Sequence, residues 1–162
     1  MNYLERIESK LIFQRDHLQE IVSSLKNQNQ RIVFTNGCFD ILHRGHVYYL
    51  AKAKELGDIL IIGINSDESV RRLKGQNRPI NTLQDRMFLL ASLEFVDYVT
   101  FFSEETPIEL IKVIQPHIHV KGGDYQKEQL PETPIVEQYG GNVKIIPYVK
   151  GYSTTNIITR MK

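Results

Sequence analysis

The chemistry of this chain is concentrated in one short segment, Asn36-Gly37-Cys38-Phe39-Asp40 followed by His43-Arg44-Gly45-His46. Two histidines three residues apart, at or just before a helix start, can turn both imidazoles toward one point. Gly45 between them lets a ligand approach the backbone. A helix start also offers unpaired N–H groups and the positive end of the helix dipole, which together favour a phosphate group. The segment therefore reads as a phosphate site with two extra donors. The chain has no Walker A pattern and no G-x-G-x-x-G, so P-loop and dinucleotide readings lose their main support. If the nucleophile is itself a phosphate, it is largely ionised at about pH 7 and needs no general base. The remaining task is to align two anions and stabilise charge at the phosphorus under attack.

Such a segment needs a buried strand before it and a helix after it. Residues 31–35 and 59–64 are nearly continuous apolar runs, as strands covered on both faces should be. Residues 96–102, 117–120 and 143–146 are weaker strand candidates. Between them lie helix starts. Thr82 to Asp85 has the form of a capping box, Thr106-Pro107 and Thr133-Pro134 offer an N-cap followed by proline, and Ser153 opens a last short helix. This alternation predicts an α/β fold, a Rossmann-like doubly wound parallel sheet of about five strands. Ligands of such sheets sit outside the carboxyl ends of the strands. Ahead of the sheet, Leu4, Ile7, Leu11, Ile12, Leu18, Ile21, Val22 and Leu25 recur at helical spacing, predicting one long N-terminal amphipathic helix. Its stripe fits docking on its own domain or on a second subunit equally well. The expected division is residues 1–30 as a helical extension and 31–162 as the catalytic domain.

A length of 162 residues suits about one domain. The net charge of +1 gives no global field toward nucleic acid or membrane, so an anionic ligand must be held by local chemistry. One cysteine excludes an internal disulfide and fits a reducing compartment. With no signal-like start and no long apolar run, a cytoplasmic protein is expected. Cys38 is expected to pack as a small residue and not to act as a nucleophile. His117 and His119 share one strand face without further ligands, so no metal site is expected there. Of Tyr48 and Tyr49, one ring is expected to pack inward.

The segment from Asn36 to His46 resembles the signature of the cytidylyltransferase-like HxGH nucleotidyltransferases. Asn65 to Gly75, Arg78-Pro79-Ile80-Asn81 leading to Arg86, Val120 to Tyr125, and Gly151 to Ile158 are similar to the heptose 1-phosphate adenylyltransferase (ADP-heptose synthase) branch. The resemblance implies transfer of AMP from ATP to D-glycero-D-manno-heptose 1-phosphate. It implies that His43 and His46 contact the phosphates, joined by Lys74, on the loop after the second helical stretch, and by Arg86. Thr35, Asn36, Gly37 and Phe39 would floor the nucleotide, and Asp40 would orient the motif loop or a magnesium-bound water. Lys121, Gly122, Gly123 and Asp124 would border the ribose or sugar phosphate. Ser153, Thr154 and Thr155 would bring hydroxyls and a second helix start to the outer phosphates. Mg2+ carried mainly by the ATP phosphates, and a homodimer, are also implied.

Related glycerol-phosphate cytidylyltransferases carry an arginine where this chain has Tyr148, which favours the heptose branch and leaves Lys150 as the cation for pyrophosphate. The branch is often fused to a sugar kinase, for which this chain has no room, so a stand-alone version is expected. Two other readings stay open: CTP with glycerol 3-phosphate or a similar alcohol phosphate, and a nucleotide-binding sensor without turnover. For Lys74 and Arg86 the ordinary alternative is surface charge or salt bridging. For Gly122-Gly123 it is a plain turn.

Overall fold

A computed structural model describes all 162 residues. The two apolar runs form β1 (Ile32–Gly37) and β2 (Ile59–Asn65), and their side chains alternate between two cores. Ile32, Phe34 and Ile61 enter one core, while Val33, Leu60 and Ile62 enter the other. Both faces are covered, which is why these strands carry no polar alternation. With β3 (Tyr98–Phe102), β4 (Ile118–Gly122) and β5 (Asn142–Ile146) they make one all-parallel sheet in the order β3-β2-β1-β4-β5. The chain builds outward from β1 to β3 and then returns to lay β4 on the other side of β1. That reversal opens a crevice above the carboxyl ends of β1 and β4.

Helix α3 (Arg44–Lys54) and α5 (Leu83–Ala91) cover one face, and α2 (Arg15–Asn27), α6 (Ile108–Ile114) and α7 (Thr133–Gln138) cover the other. Gly63 sets how closely α6 approaches. A Cβ there would lie 2.7 Å from Leu110 and 2.9 Å from the Phe34 ring.

The single N-terminal helix expected from the periodicity is two helices, α1 (Tyr3–Glu8) and α2. Between them the chain runs beside β3, where Val99 N–H donates to Lys10 O and Ile12 N–H to Val99 O, each at 2.9 Å. The open backbone edge of β3 is thereby paired, a gain that outweighs continuing the helix. The apolar stripe divides accordingly: Ile7 and Leu11 pack on the α5 face, while Ile12, Leu18, Val22 and Leu25 enter the α6 face. Each fully buried aliphatic side chain contributes about 1.5–3 kcal/mol. Of the stripe only Leu4 is left exposed, and the rest is buried or partly buried within the chain.

Three local expectations also shift. β1 runs two residues past Thr35, because Asn36 and Gly37 keep the register with Gly63 and Ile64. Pro107 is itself the N-cap of α6, and α7 begins at Thr133 after Glu132, so neither Thr-Pro pair caps as expected. Thr82 and Ser153 do cap, accepting from Asp85 N–H at 3.3 Å and Asn156 N–H at 3.0 Å.

Candidate active site

The crevice holds a cleft of about 780 Å³. Its floor is the end of β1. Thr35 lies beneath it, fully buried, bonded to the Tyr49 hydroxyl and donating to Val120 O at 2.8 Å. Asn36 lines the cleft and bonds His119 Nε2 at 3.1 Å. Burial holds His119 down at about 3, helped by the Lys121 charge, so its ring is neutral. Gly37 makes room for Phe39, whose ring would lie 2.9 Å from a Cβ at that position. Phe39 itself takes a left-handed φ of 48°, an uncommon conformation for a bulky residue and one that tends to mark functional loops.

What fixes the loop is Asp40. Its oxygens accept from Arg78 Nε at 2.7 Å, Ile80 N–H at 2.9 Å and Asn81 N–H at 3.0 Å. Burial works against its charge, but the two N–H donors and the Arg78 guanidinium outweigh that and hold the carboxyl below its usual range. With both oxygens engaged, Asp40 orients the loop, and of its two expected roles the magnesium-bound water is the one the geometry disfavours.

His43 is the N-cap of α3 and His46 its third residue, and they cap reciprocally. The Nδ1 of each faces the backbone N–H of the other at 3.4 Å. The rings stack with centroids 3.7 Å apart. Since Nδ1 accepts, the proton sits on Nε2, leaving that N–H as a donor for a ligand. Burial lowers the pKa of His43. Burial, then the neighbouring His43, lowers His46 to about 4. Both are therefore neutral donors near pH 7 until an anion arrives. A Cβ on Gly45 would come within 2.9 Å of Tyr152 Cβ and 3.0 Å of the His43 ring, so only glycine keeps α3 this close to the closing segment.

Helix α8 (Thr154–Met161) starts across the cleft. Ser153, Thr154 and Thr155 all line it, and Thr154 Oγ1 donates to Ile41 O at 3.2 Å, tying α8 to the motif loop. Two helix N-termini, each equivalent to roughly +0.5 charge, thus open on one space. Lys74, Lys121, Lys150 and Arg78 line it as well. Lys74 is the last residue of α4 (Asp67–Lys74), not a loop residue. Its side of the helix faces the cleft, and it takes part in no ion pair.

Arg86 departs from its expected place. It is 1% exposed and outside the cleft wall. Its guanidinium donates to Cys38 O, Asn65 O, Asn81 O and the Asp67 carboxylate at 2.7–3.1 Å. Its guanidinium ties the motif loop to the end of β2 and the start of α5. Gly123 and Asp124 also miss the cleft. Gly123 sits under the Tyr148 and Tyr125 rings at φ 122°, a position open to glycine, and Asp124 points to solvent. Lys121 and Gly122 do line the cleft.

Of the tyrosine pair, Tyr49 packs inward and Tyr48 is exposed. Burial raises the Cys38 thiol pKa, as befits an inert cysteine. Arg78, Asn65, Tyr148 and Glu132 line the cleft without having been singled out as ligand contacts. Arg78 carries a signal through the Arg78-Pro79-Ile80-Asn81 stretch, Asn65 as the start of the Asn65 to Gly75 stretch and Tyr148 as the position where the cytidylyltransferases have arginine; Glu132 carries none.

Residues 34–160 match the model of the family described as Cytidylyltransferase-like. The chain is 54% identical over 147 residues to "Bifunctional protein HldE" of Pelobacter propionicus, covering 91% of this chain and 30% of that protein. Over 157 residues it is 52% identical to the protein of the same name from Helicobacter hepaticus, covering 97% of this chain and 31% of that protein. It thus spans about three tenths of the length of these curated relatives. Among solved structures, the lipopolysaccharide core biosynthesis protein of Thermoplasma volcanium is 31% identical at a TM-score of 0.62. That match covers 76% of this chain and 99% of the other. The pantoate-beta-alanine ligase of Francisella tularensis shares the fold at a TM-score of 0.63 and 20% identity, over 93% of this chain and 76% of the other.

Proposed function

This chain belongs to the cytidylyltransferase-like family, and from that premise we propose that it transfers AMP from ATP to D-glycero-D-manno-heptose 1-phosphate. The products are ADP-heptose and pyrophosphate. The observation that carries this reading is the meeting of two helix N-termini, two neutral Nε2 donors and three lysines around one cleft. The likeness to the two HldE proteins and to the lipopolysaccharide core biosynthesis protein supports the sugar-phosphate acceptor.

The acceptor's phosphate oxygen attacks the α-phosphorus, the bond from that phosphorus to the bridging oxygen breaks, and pyrophosphate leaves with the electron pair. No proton has to be removed from the nucleophile. His43 and His46 donate to the α-phosphate oxygens as charge builds there. Ser153, Thr154 and Thr155, with the start of α8 and Lys150, hold the departing pyrophosphate. Lys74 and Lys121 screen the repulsion between the two anions. No cluster of three or more His, Cys, Asp or Glu side chains exists to hold a metal, and Asp40 is committed to the loop. Mg2+ fits as an ion carried by the triphosphate, where it supplies charge neutralisation.

A cytoplasmic location goes with this reading, and no helix is long and apolar enough to cross a membrane. A homodimer rests on the family likeness, because all of the N-terminal stripe but Leu4 is packed within the chain.

The test is pyrophosphate release with ATP or CTP, each against both anomers of heptose 1-phosphate and against glycerol 3-phosphate, with magnesium. Release with ATP and one heptose anomer is expected. Release with CTP and glycerol 3-phosphate would keep the mechanism and overturn the substrates. Nucleotide binding without release in any mixture would make the domain a sensor.

A further inference from the structure

The cleft wall formed by the α6–α7 side of the sheet differs in chemistry from the wall that carries the histidines. It includes Phe102, Pro107, Glu105 and Glu132, and no cation among those four. Glu132 is the residue before α7 and is only 4% exposed. Its Oε2 is enclosed and has no hydrogen-bond partner, and the residue is in no ion pair. Burying an unpaired carboxyl costs stability, and such a cost is retained where a ligand supplies the missing donors. A carboxylate repels phosphate, whereas it accepts strongly from hydroxyls. The phosphates belong at the two helix starts, those of α3 and α8.

We propose that Glu132 determines acceptor specificity by accepting hydrogen bonds from hydroxyl groups of the sugar, and that the α6–α7 wall is the sugar subsite. This deepens the reading of the cleft as a sugar-phosphate adenylyltransferase and rests on it. A single buried acceptor of this kind discriminates because a ligand lacking the hydroxyl leaves the carboxyl unpaired again.

The experiment compares wild type with Glu132→Gln and Glu132→Ala in the full chain. KM is measured for heptose 1-phosphate and for ATP, together with Tm of the free protein. Both substitutions are expected to raise KM for the sugar phosphate by about tenfold to a hundredfold, as for a lost hydrogen bond to a charged group. KM for ATP should stay within about twofold, and Tm of Glu132→Gln should equal or exceed that of wild type, because the unpaired carboxyl is gone. An unchanged sugar KM overturns the assignment, and so does a rise confined to ATP, which would place the adenine amino group on Glu132. A fall in Tm of Glu132→Gln would make the carboxyl structural and also overturns it. Wild type that turns over ATP with no sugar phosphate defeats the underlying reading as well. Wild-type turnover with an unaffected variant defeats the Glu132 assignment alone.

Discussion

Replacing Arg86 by methionine separates a residue that builds the site from one that touches the substrate. Methionine fills much of the volume but supplies no donor, so Cys38 O, Asn65 O and Asn81 O each lose the guanidinium. Each carbonyl left unsatisfied costs about 1–3 kcal/mol, and relaxation makes the three less than additive. Asp67 adds little, because its side chain is 33% exposed and can turn to water. Loss of a buried, hydrogen-bonded charge of this kind comes to about 3–5 kcal/mol. For a domain of this size, with about 2–4 °C per kcal/mol, Tm should fall by roughly 6–20 °C. The assay is thermal and urea unfolding followed by two probes, with ATP affinity measured below the transition. Turnover should fall as well, since Cys38 O anchors the loop that leads to His43. Arg86→Lys should rescue neither, because one ammonium cannot span the same carbonyls. An Arg86→Met protein as stable as wild type, within about 2 °C, yet devoid of turnover would refute the reasoning and put the guanidinium on a phosphate.

Two other outcomes test the electrostatics. His43→Ala and His46→Ala should each lower kcat by about 10²–10³, the usual cost of one lost donor to developing charge, and lose about 1 kcal/mol of stability with the cap. Stopped-assay kinetics beside urea unfolding checks both, and full activity in either variant would remove that imidazole from the reaction. Stability should decline as pH falls from about 6.5 toward 4. Above the ordinary value of 6.5 both states hold these rings neutral. Below it the unfolded chain protonates first, while burial keeps His46 neutral to about 4 and His119 to about 3. Urea unfolding at several pH values should show that slope, and His119→Gln should flatten it. A profile level from pH 7 to 4.5 would contradict the burial argument.

The residue pattern determined what depends on near neighbours in the chain. Strands β1 and β2 were visible because their cover on both faces requires unbroken apolar runs. The caps at Thr82 and Ser153 close over three residues, and His43 and His46 lie on one helix turn. What stayed hidden depends on partners far along the chain. The family resemblance implies a phosphate contact for Arg86, and nothing near it in the chain points to Cys38 O, 48 residues away. Asp40 found its partners 38 to 41 residues away, and the split of the N-terminal helix comes from the free edge of β3 at Val99. Glu132 showed no local signal at all. Only the closing of the sheet around the cleft left its carboxyl without a partner. Local spacing can specify a turn, a cap or a strand face, but whether a charged group meets a ligand or another part of the protein is settled by packing between distant segments.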